Sequence, residues 1–87
     1  MPKITMSRER ALAEMISANI IWRANQLKLY SESEIAEQIG MSRSTFHRRK
    51  NDPASWELIE ITRAALSLGV SLEWLCTDHS NKCKREA

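Results

Sequence analysis

The 87-residue chain has few of the residues that interrupt or cross-link a polypeptide: two glycines, two prolines and two cysteines. Two cysteines are too few for the disulfide framework of a small secreted domain, so Cys76 and Cys83 are expected to be reduced thiols. The sequence has no run of roughly 18 apolar residues that would span a membrane, and no signal-peptide pattern at its start. The absence of a membrane span and of a signal peptide predicts a cytoplasmic protein without a membrane partner. The length predicts a single domain, because domains usually have roughly 100–200 residues.

The composition is that of a folded chain, with 43% hydrophobic and 28% charged residues. Thirteen Lys and Arg against eleven Asp and Glu leave a formal net charge of +2. The total charge therefore does not indicate a nucleic-acid partner, and its distribution along the chain is more informative.

Hydrophobic spacing predicts helices throughout and gives no strand signal. A first helix over residues 7–29 would bury one stripe, formed by Leu12, Met15, Ile16, Ile20, Ala24 and Leu27. Ser31 and Glu34 match a capping box that begins a second helix, and Gly40 would end it.

Three further helices are predicted. Ser42 would cap the third, over residues 43–50; Ser55 would cap the fourth, which ends at Gly69; and Ser71 would cap the short fifth. The expected apolar face of the fourth helix is Leu58, Ile61, Thr62, Ala65 and Leu66. The sequence thus predicts an all-α, compact five-helix domain over residues 1–77, followed by a polar, disordered tail over residues 78–87.

The second and third helices, joined at Gly40, Met41 and Ser42, form a helix-turn-helix pattern. Their charges are separated: the second helix carries three glutamates, whereas the third carries four basic residues and no acid. These residues are Glu32, Glu34 and Glu37, and Arg43, Arg48, Arg49 and Lys50.

A solvated surface is the simplest explanation of a basic helix. However, Phe46 is the one apolar residue of the third helix, so its composition indicates a role other than burial. In a DNA major groove its first half would offer side chains to base edges, while Lys50 and Asn51 would suit phosphate. The candidate DNA-binding residues are Ser42, Arg43, Ser44, Thr45, His47, Arg48, Lys50 and Asn51.

Two segments resemble the Cro and phage-repressor-like helix-turn-helix family, the Xre type: Ser-Glu-Ile-Ala-Glu-Gln-Ile-Gly-Met-Ser-Arg-Ser-Thr-Phe over residues 33–46, and Leu-Gly-Val-Ser-Leu-Glu-Trp-Leu over residues 68–75. In that family an alanine and a glycine four residues later mark the turn, as Ala36 and Gly40 do here. The resemblance implies a five-helix repressor-like domain in which Arg43, Ser44 and Arg48 read bases and Asn51 contacts the DNA backbone.

The function that the resemblance implies is sequence-specific regulation of transcription on double-stranded DNA, as in a phage or prophage repressor or Cro-like protein. A homodimer would place two copies of the third helix on a near-palindromic operator and block or recruit RNA polymerase, in the cytoplasm and nucleoid of a bacterial host.

Two residues depart from the family pattern. Arg49 stands where members usually carry an apolar residue, so either its aliphatic stem covers the core or the third helix sits differently, and it is not counted as a DNA contact. Glu32 stands where a glutamine often touches phosphate. DNA would repel this carboxylate, and Ser31 or Ser33 would have to substitute for it.

The alternative is an antitoxin-like or other protein-interaction module of the same fold with secondary DNA binding. Its interface would include the apolar residues Ile21, Trp22, Trp56 and Ile59 at the edges of the first and fourth helices, which core packing explains equally well. A purely structural adaptor would leave the basic third helix without a purpose.

Catalysis and metal binding have little support in the sequence. Cys76, His79 and Cys83 are three scattered ligands where a structural zinc site needs four, and Cys76 is better explained as a small core residue of the fifth helix. His47 and His79 have no nucleophile in a catalytic arrangement, and no glycine-rich phosphate loop is present. We predict no enzyme activity, no cofactor and no metal.

Overall fold

Five α-helices and one short 3-10 turn make up residues 8–79, the part of the chain that the computed structural model describes. The helices are α1 (Arg8–Gln26), α2 (Glu32–Ile39), α3 (Arg43–Asn51), α4 (Leu58–Leu68) and α5 (Leu72–Leu75). The 3-10 turn, Pro53–Ser55, lies between α3 and α4. No strand occurs in residues 8–79, so the all-α, five-helix prediction is confirmed.

Every helix contributes to one hydrophobic core. Its buried members are Ile16, Ile20, Ala24, Ile35, Ala36, Ile39, Phe46, Ala64, Ala65, Leu68 and Leu75. Several are alanines, whose small side chains let neighbouring helix backbones approach closely. Phe46 packs edge-to-face on Trp56 with ring centroids 6.2 Å apart, which joins α3 to the turn before α4.

The predicted caps of α2, α3 and α5 are confirmed. The hydroxyl oxygens of Ser31, Ser42 and Ser71 each accept a hydrogen bond from the amide three residues on, at 2.9–3.1 Å. Gly40 ends α2 with φ +93°, a left-handed conformation that favours glycine. The tight turn between α2 and α3 therefore forms as the sequence indicates.

α1 is shorter than predicted and ends at Gln26 rather than at Leu29. Lys28 takes a left-handed conformation, φ +69°, and the amide of Leu29 donates to the carbonyl of Ala24 at 2.9 Å, which reverses the chain. Leu12 and Leu27, expected in the buried stripe, are exposed. The stripe is confined to the middle of the helix, where the other elements cover it.

The predicted start of α4 is wrong. Ser55 lies within the 3-10 turn, where its hydroxyl donates to the carbonyl of Asp52 at 2.7 Å. Glu57 is the N-cap residue of α4, and its amide donates to the Glu60 carboxylate at 2.9 Å. The carboxylate three residues inside the helix thus replaces the expected serine as the N-terminal partner.

The buried face of α4 also differs from the predicted one. Glu60 and Ala64 point inward together with Ala65 and Leu68, whereas Leu58 and Leu66 are 71% and 77% exposed. α4 is rotated about its axis relative to the predicted orientation, because the Glu60 side chain points inward, where Arg49 neutralises its charge. A pattern of apolar spacing has no means of assigning a carboxylate to the core side.

Side chains of α1 and α2 close the carbonyl ends of α4 and α5. The Asn19 amide donates to the carbonyls of Leu75 and Thr77, both at 2.8 Å. Arg23 Nε donates to the carbonyl of Leu68 at 2.9 Å. Gln38 Nε2 donates to the carbonyl of Ser67 at 2.8 Å. These bonds satisfy acceptors that have no partner within their own helices.

The end of the described range packs against α5. The His79 ring lies on Trp74 with centroids 4.0 Å apart, and Trp22 of α1 stacks on Trp74 at 5.7 Å. Cys76 is exposed at the end of α5 and is not the core residue that was predicted, because Leu75 fills that place. Of the predicted tail, residues 80–87, Cys83 included, lie outside the described residues.

No helix within residues 8–79 is long and apolar enough to cross a membrane.

Candidate nucleic-acid interface

One face of α3 consists of exposed residues. The residues on it are spaced by one, four, five and eight positions, which is one side of a helix of 3.6 residues per turn. They are Arg43, Ser44, His47, Arg48 and Asn51, all of them candidate DNA-binding residues. Five of the eight candidate DNA-binding residues therefore form one polar surface.

The opposite face of α3 is anchored to the core. Phe46 is 1% exposed and belongs to the same buried cluster as Ile35 and Ile39 of α2. One hydrophobic residue thus fixes the rotation of a helix whose remaining residues are polar, and this rotation presents Arg43 and Arg48 to solvent.

Arg49 is the second anchor of α3. Its guanidinium donates two parallel hydrogen bonds to the Glu60 carboxylate, Nε to Oε1 at 2.8 Å and Nη2 to Oε2 at 2.9 Å. Glu57 Oε2 lies 3.8 Å from Arg49 Nη2. This paired geometry is the strong form of an arginine–carboxylate contact. The departure at Arg49 is therefore accommodated by an ion pair, with 15% of the side chain exposed, and not by the aliphatic stem alone.

The Arg49–Glu60 pair also changes the protonation equilibria of its members. The hydrogen bonds from Arg49 hold the pKa of the Glu60 carboxyl below its usual value, with a smaller contribution from the Glu57 amide. Glu60 in turn raises the pKa of Arg49. The pair remains ionised at neutral pH and links α3 to the first turn of α4.

The hydroxyl groups at the start of α3 bind to one another. Ser42 Oγ accepts from the amide of Thr45 at 3.1 Å and donates to Thr45 Oγ1 at 2.8 Å. Ser44 Oγ lies 3.4 Å from Ser42 Oγ and is exposed. Ser42 and Thr45 therefore hold the helix end in shape, while Arg43 and Ser44 extend into solvent.

The end of α3 is connected to the start of α2 through Glu32. Both carboxylate oxygens lie 3.1 Å from His47 Nδ1, and Oε2 pairs with the Lys50 ammonium. Asn51 Nδ2 lies 2.9 Å from the other ring nitrogen of His47. Hydrogen bonds from Lys50 and then from His47 lower the pKa of Glu32. We call Glu32, His47, Lys50 and Asn51 the Glu32 cluster.

The Glu32 cluster was not foreseen in the sequence. The family pattern predicts that DNA repels this carboxylate and that Ser31 or Ser33 substitutes for it. Ser31 Oγ is instead used as the cap of α2, and Ser33 is exposed. The signal that could have indicated the cluster is weak: an acidic residue at the first position of one short helix and a basic residue near the last position of the next.

The positive charge of the exposed face lies on Arg43 and Arg48. Neither arginine pairs with a carboxylate among residues 8–79, whereas Arg49 and Lys50 do. The four basic residues of α3 thus divide into two that are available to a ligand and two that are engaged within the protein.

The described residues contain no group of three or more His, Cys, Asp or Glu side chains that could hold a metal ion. His79 Nε2 lies 2.9 Å from the carbonyl of Trp74. Cys83, the third ligand that had been considered, lies outside the described residues.

No protein-family model, no curated protein and no solved structure matches the chain. The resemblance to the Cro and phage-repressor-like family rests on residues 33–46 and 68–75 alone.

Proposed function

We propose that the protein is a sequence-specific regulator of transcription that binds double-stranded DNA with α3 in the major groove. The observation that carries the proposal is the division of α3 into two faces. One face exposes Arg43, Ser44, His47, Arg48 and Asn51 together, and the other is fixed by Phe46 and by the Arg49–Glu60 pair. A rigid helix with an exposed row of hydrogen-bonding groups suits groove recognition.

Arg43 and Arg48 have the leading roles in this proposal, because arginine binds the two major-groove acceptors of guanine. They are five residues apart, so their backbones are separated by about 7.5 Å along the helix axis. With base pairs spaced at 3.4 Å, their side chains can address bases about two steps apart. Ser44 and His47 lie between them on the same face.

We further propose a homodimer on a near-palindromic operator, with half-sites about one helical turn apart. Occupancy of the operator would block or recruit RNA polymerase, as the family resemblance implies for a phage or prophage regulator. A bacterial cytoplasm, at the nucleoid, is the corresponding location.

The first test is selection of bound duplexes from a random DNA pool at near-physiological salt, followed by sequencing. Enrichment of a two-fold-related motif supports the proposal and supplies the operator. An asymmetric motif contradicts the homodimer. If no sequence is enriched, the proposal of a sequence reader is wrong, and a salt titration on bulk DNA then separates a nonspecific DNA coat from a protein without DNA affinity.

Substitution of the two free arginines gives the residue-level test. Arg43→Ala and Arg48→Ala should each cost about 1–3 kcal/mol of binding to the selected site and relax base preference there. The control is Arg8→Ala, which removes the same charge from an exposed position at the start of α1. Competition binding against randomised sites measures the preference. An unchanged preferred sequence in Arg43→Ala would contradict the assignment of α3 as the reader.

The second candidate function is an antitoxin-like or other protein-interaction module of the same fold. It is favoured by the exposed aliphatic residues of α4, Leu58, Ile59 and Leu66. It predicts that the function survives Arg43→Ala and Arg48→Ala and is lost when this face of α4 is made charged. A toxin gene beside the coding sequence would support it.

A further inference from the structure

The geometry of the Glu32 cluster defines its hydrogen positions. A carboxylate can only accept hydrogen bonds, so the hydrogen facing Glu32 belongs to His47 Nδ1. An amide nitrogen can only donate, so His47 Nε2 accepts from Asn51 Nδ2. Glu32 supplies the negative charge of the cluster, and Lys50 supplies the positive charge that pairs with it.

Three candidate DNA-binding residues are thus held by a carboxylate from another helix. Lys50 pairs with Glu32 directly, His47 donates to it, and Asn51 is positioned through His47. A carboxylate presents the same kind of acceptor oxygens as a DNA phosphate. Phosphate that binds Lys50 must displace Glu32 or share the ammonium with it, and in both cases it places a second negative charge near that carboxylate.

We propose that Glu32 competes with DNA phosphate for Lys50 and thereby lowers the sequence-independent part of the binding affinity; this inference rests on the proposed function. Phosphate contacts strengthen binding to every sequence alike, whereas base contacts discriminate between sequences. Pairing Lys50 internally weakens the first kind of contact, while Arg43 and Arg48 retain the second. The result is lower affinity for bulk DNA at an undiminished preference for the operator.

The experiment compares Glu32→Gln, Lys50→Ala and the double variant on the selected operator and on random duplex, at 50 and 200 mM salt. Glu32→Gln should bind both DNAs more tightly and add one phosphate contact. The slope of log affinity against log salt should steepen by about 0.9, so the gain should shrink by about 3.5-fold between the two salt concentrations. Melting curves of each variant establish that it is folded.

The double variant isolates the competition. Lys50→Ala should change the affinity of the wild-type chain by less than about twofold, and in the Glu32→Gln background it should remove the gain. The control is Glu37→Gln, which removes the same charge from an exposed position of α2. It should leave the salt slope unchanged.

Three results would overturn the inference. If Lys50→Ala lowers the DNA affinity equally in the wild-type and Glu32→Gln chains, Glu32 does not compete with phosphate for Lys50. Equal effects of Glu32→Gln and Glu37→Gln would mean that only overall charge matters. Loss of affinity in Glu32→Gln would mean that the carboxylate merely holds α3 in position.

A measurement without DNA separates failure of the inference from failure of the proposed function. In an NMR titration of the Glu32 carboxyl, Lys50→Ala should raise its pKa toward the usual glutamate value. If it does not, the Lys50–Glu32 pair is absent in solution and the inference fails by itself. If it does, but no duplex binds to the wild-type chain, the proposed function fails and the inference with it.

Discussion

Asn19 lies in the middle of α1, and its side-chain amide points toward the end of α5. It is buried, and its two hydrogens are donated to the carbonyls of Leu75 and Thr77. Carbonyls at the end of a helix have no partner within it, and the Leu75 carbonyl is also shielded from water. A single polar side chain therefore satisfies the end of α5 and holds it on α1.

Substitution of Asn19 should lower the free energy of unfolding more than substitution of an exposed asparagine. Asn19→Ala leaves a buried acceptor unpaired, and we expect a loss of about 2 kcal/mol in the free energy of unfolding, measured by urea denaturation. Asn25→Ala, at an exposed position near the end of the same helix, should change it by less than about 0.5 kcal/mol. Similar losses in both variants would show that the Asn19 hydrogen bonds contribute little.

At this scale the sequence predicted what depends on near neighbours. Ser31, Ser42 and Ser71 were identified as caps because a cap and its partner are three residues apart. Asn19 was missed because its acceptors lie 56 and 58 residues away. Lys28 was missed because a left-handed turn residue is ordinarily glycine.

The junction of α3 and α4 shows what an element requires beyond its own periodicity. The existence of α3 followed from Ser42 as its cap, and that of α4 followed from hydrophobic spacing and from Gly69 as its end point. The buried face of α4 did not follow, because it is set by a salt bridge to Arg49 of α3 that places Glu60 inside. For α3 the exposed face was predicted well, since Phe46 is its one buried residue and Arg49 anchors the same side of the helix.

The Arg49–Glu60 pair makes stability depend on pH. The pKa of Glu60 is lower in the folded chain than its usual 4.5. The stabilisation it supplies is therefore complete above that value and is lost as the pH falls through the lower, folded pKa. The pKa values of Glu32 and Glu34 are lowered too, so the wild-type chain should lose stability steadily below about pH 4.5.

Glu60→Gln isolates one part of this effect. At pH 7 it should lower the free energy of unfolding by about 2 kcal/mol, because it replaces a charged hydrogen-bond acceptor at a position 8% exposed. The difference from wild type should narrow as the pH falls toward 3. Thermal melts across this range provide the measurement, with Glu73→Gln, at an exposed site on α5, as the control. A difference independent of pH would contradict the role of the ion pair.

For the whole molecule, the unusual surface is the outer side of α4. Leu58, Ile59 and Leu66 are 71%, 61% and 77% exposed, and Leu58 and Leu66 lie two turns apart. Their midpoint is Thr62. A two-fold axis near Thr62 would pair antiparallel copies of α4, with Leu58 against Leu66 of the partner subunit, so the stripe is complementary to itself.

If Leu58, Ile59 and Leu66 form the interface of the proposed homodimer, Leu66→Glu should shift the sedimentation equilibrium to monomer. It should also lower the affinity for a two-fold operator by at least tenfold. The fold should be unchanged, because Leu66 lies outside the core. Tyr30→Glu, which adds the same charge at another exposed site between α1 and α2, should leave the equilibrium unchanged. A dimer that persists in Leu66→Glu would exclude this face as the interface.

The polar bonds from α1 also have a consequence for the order in which the chain gains structure. Asn19 and Arg23 donate to acceptors 45 to 58 residues away. The last turns of α4 and α5 therefore gain these partners only once α1 has packed against both helices. Closing so long a loop costs entropy before any contact repays it. A helix of four residues such as α5 usually frays, but here its amides should exchange with solvent only when the contact between α1 and α5 opens.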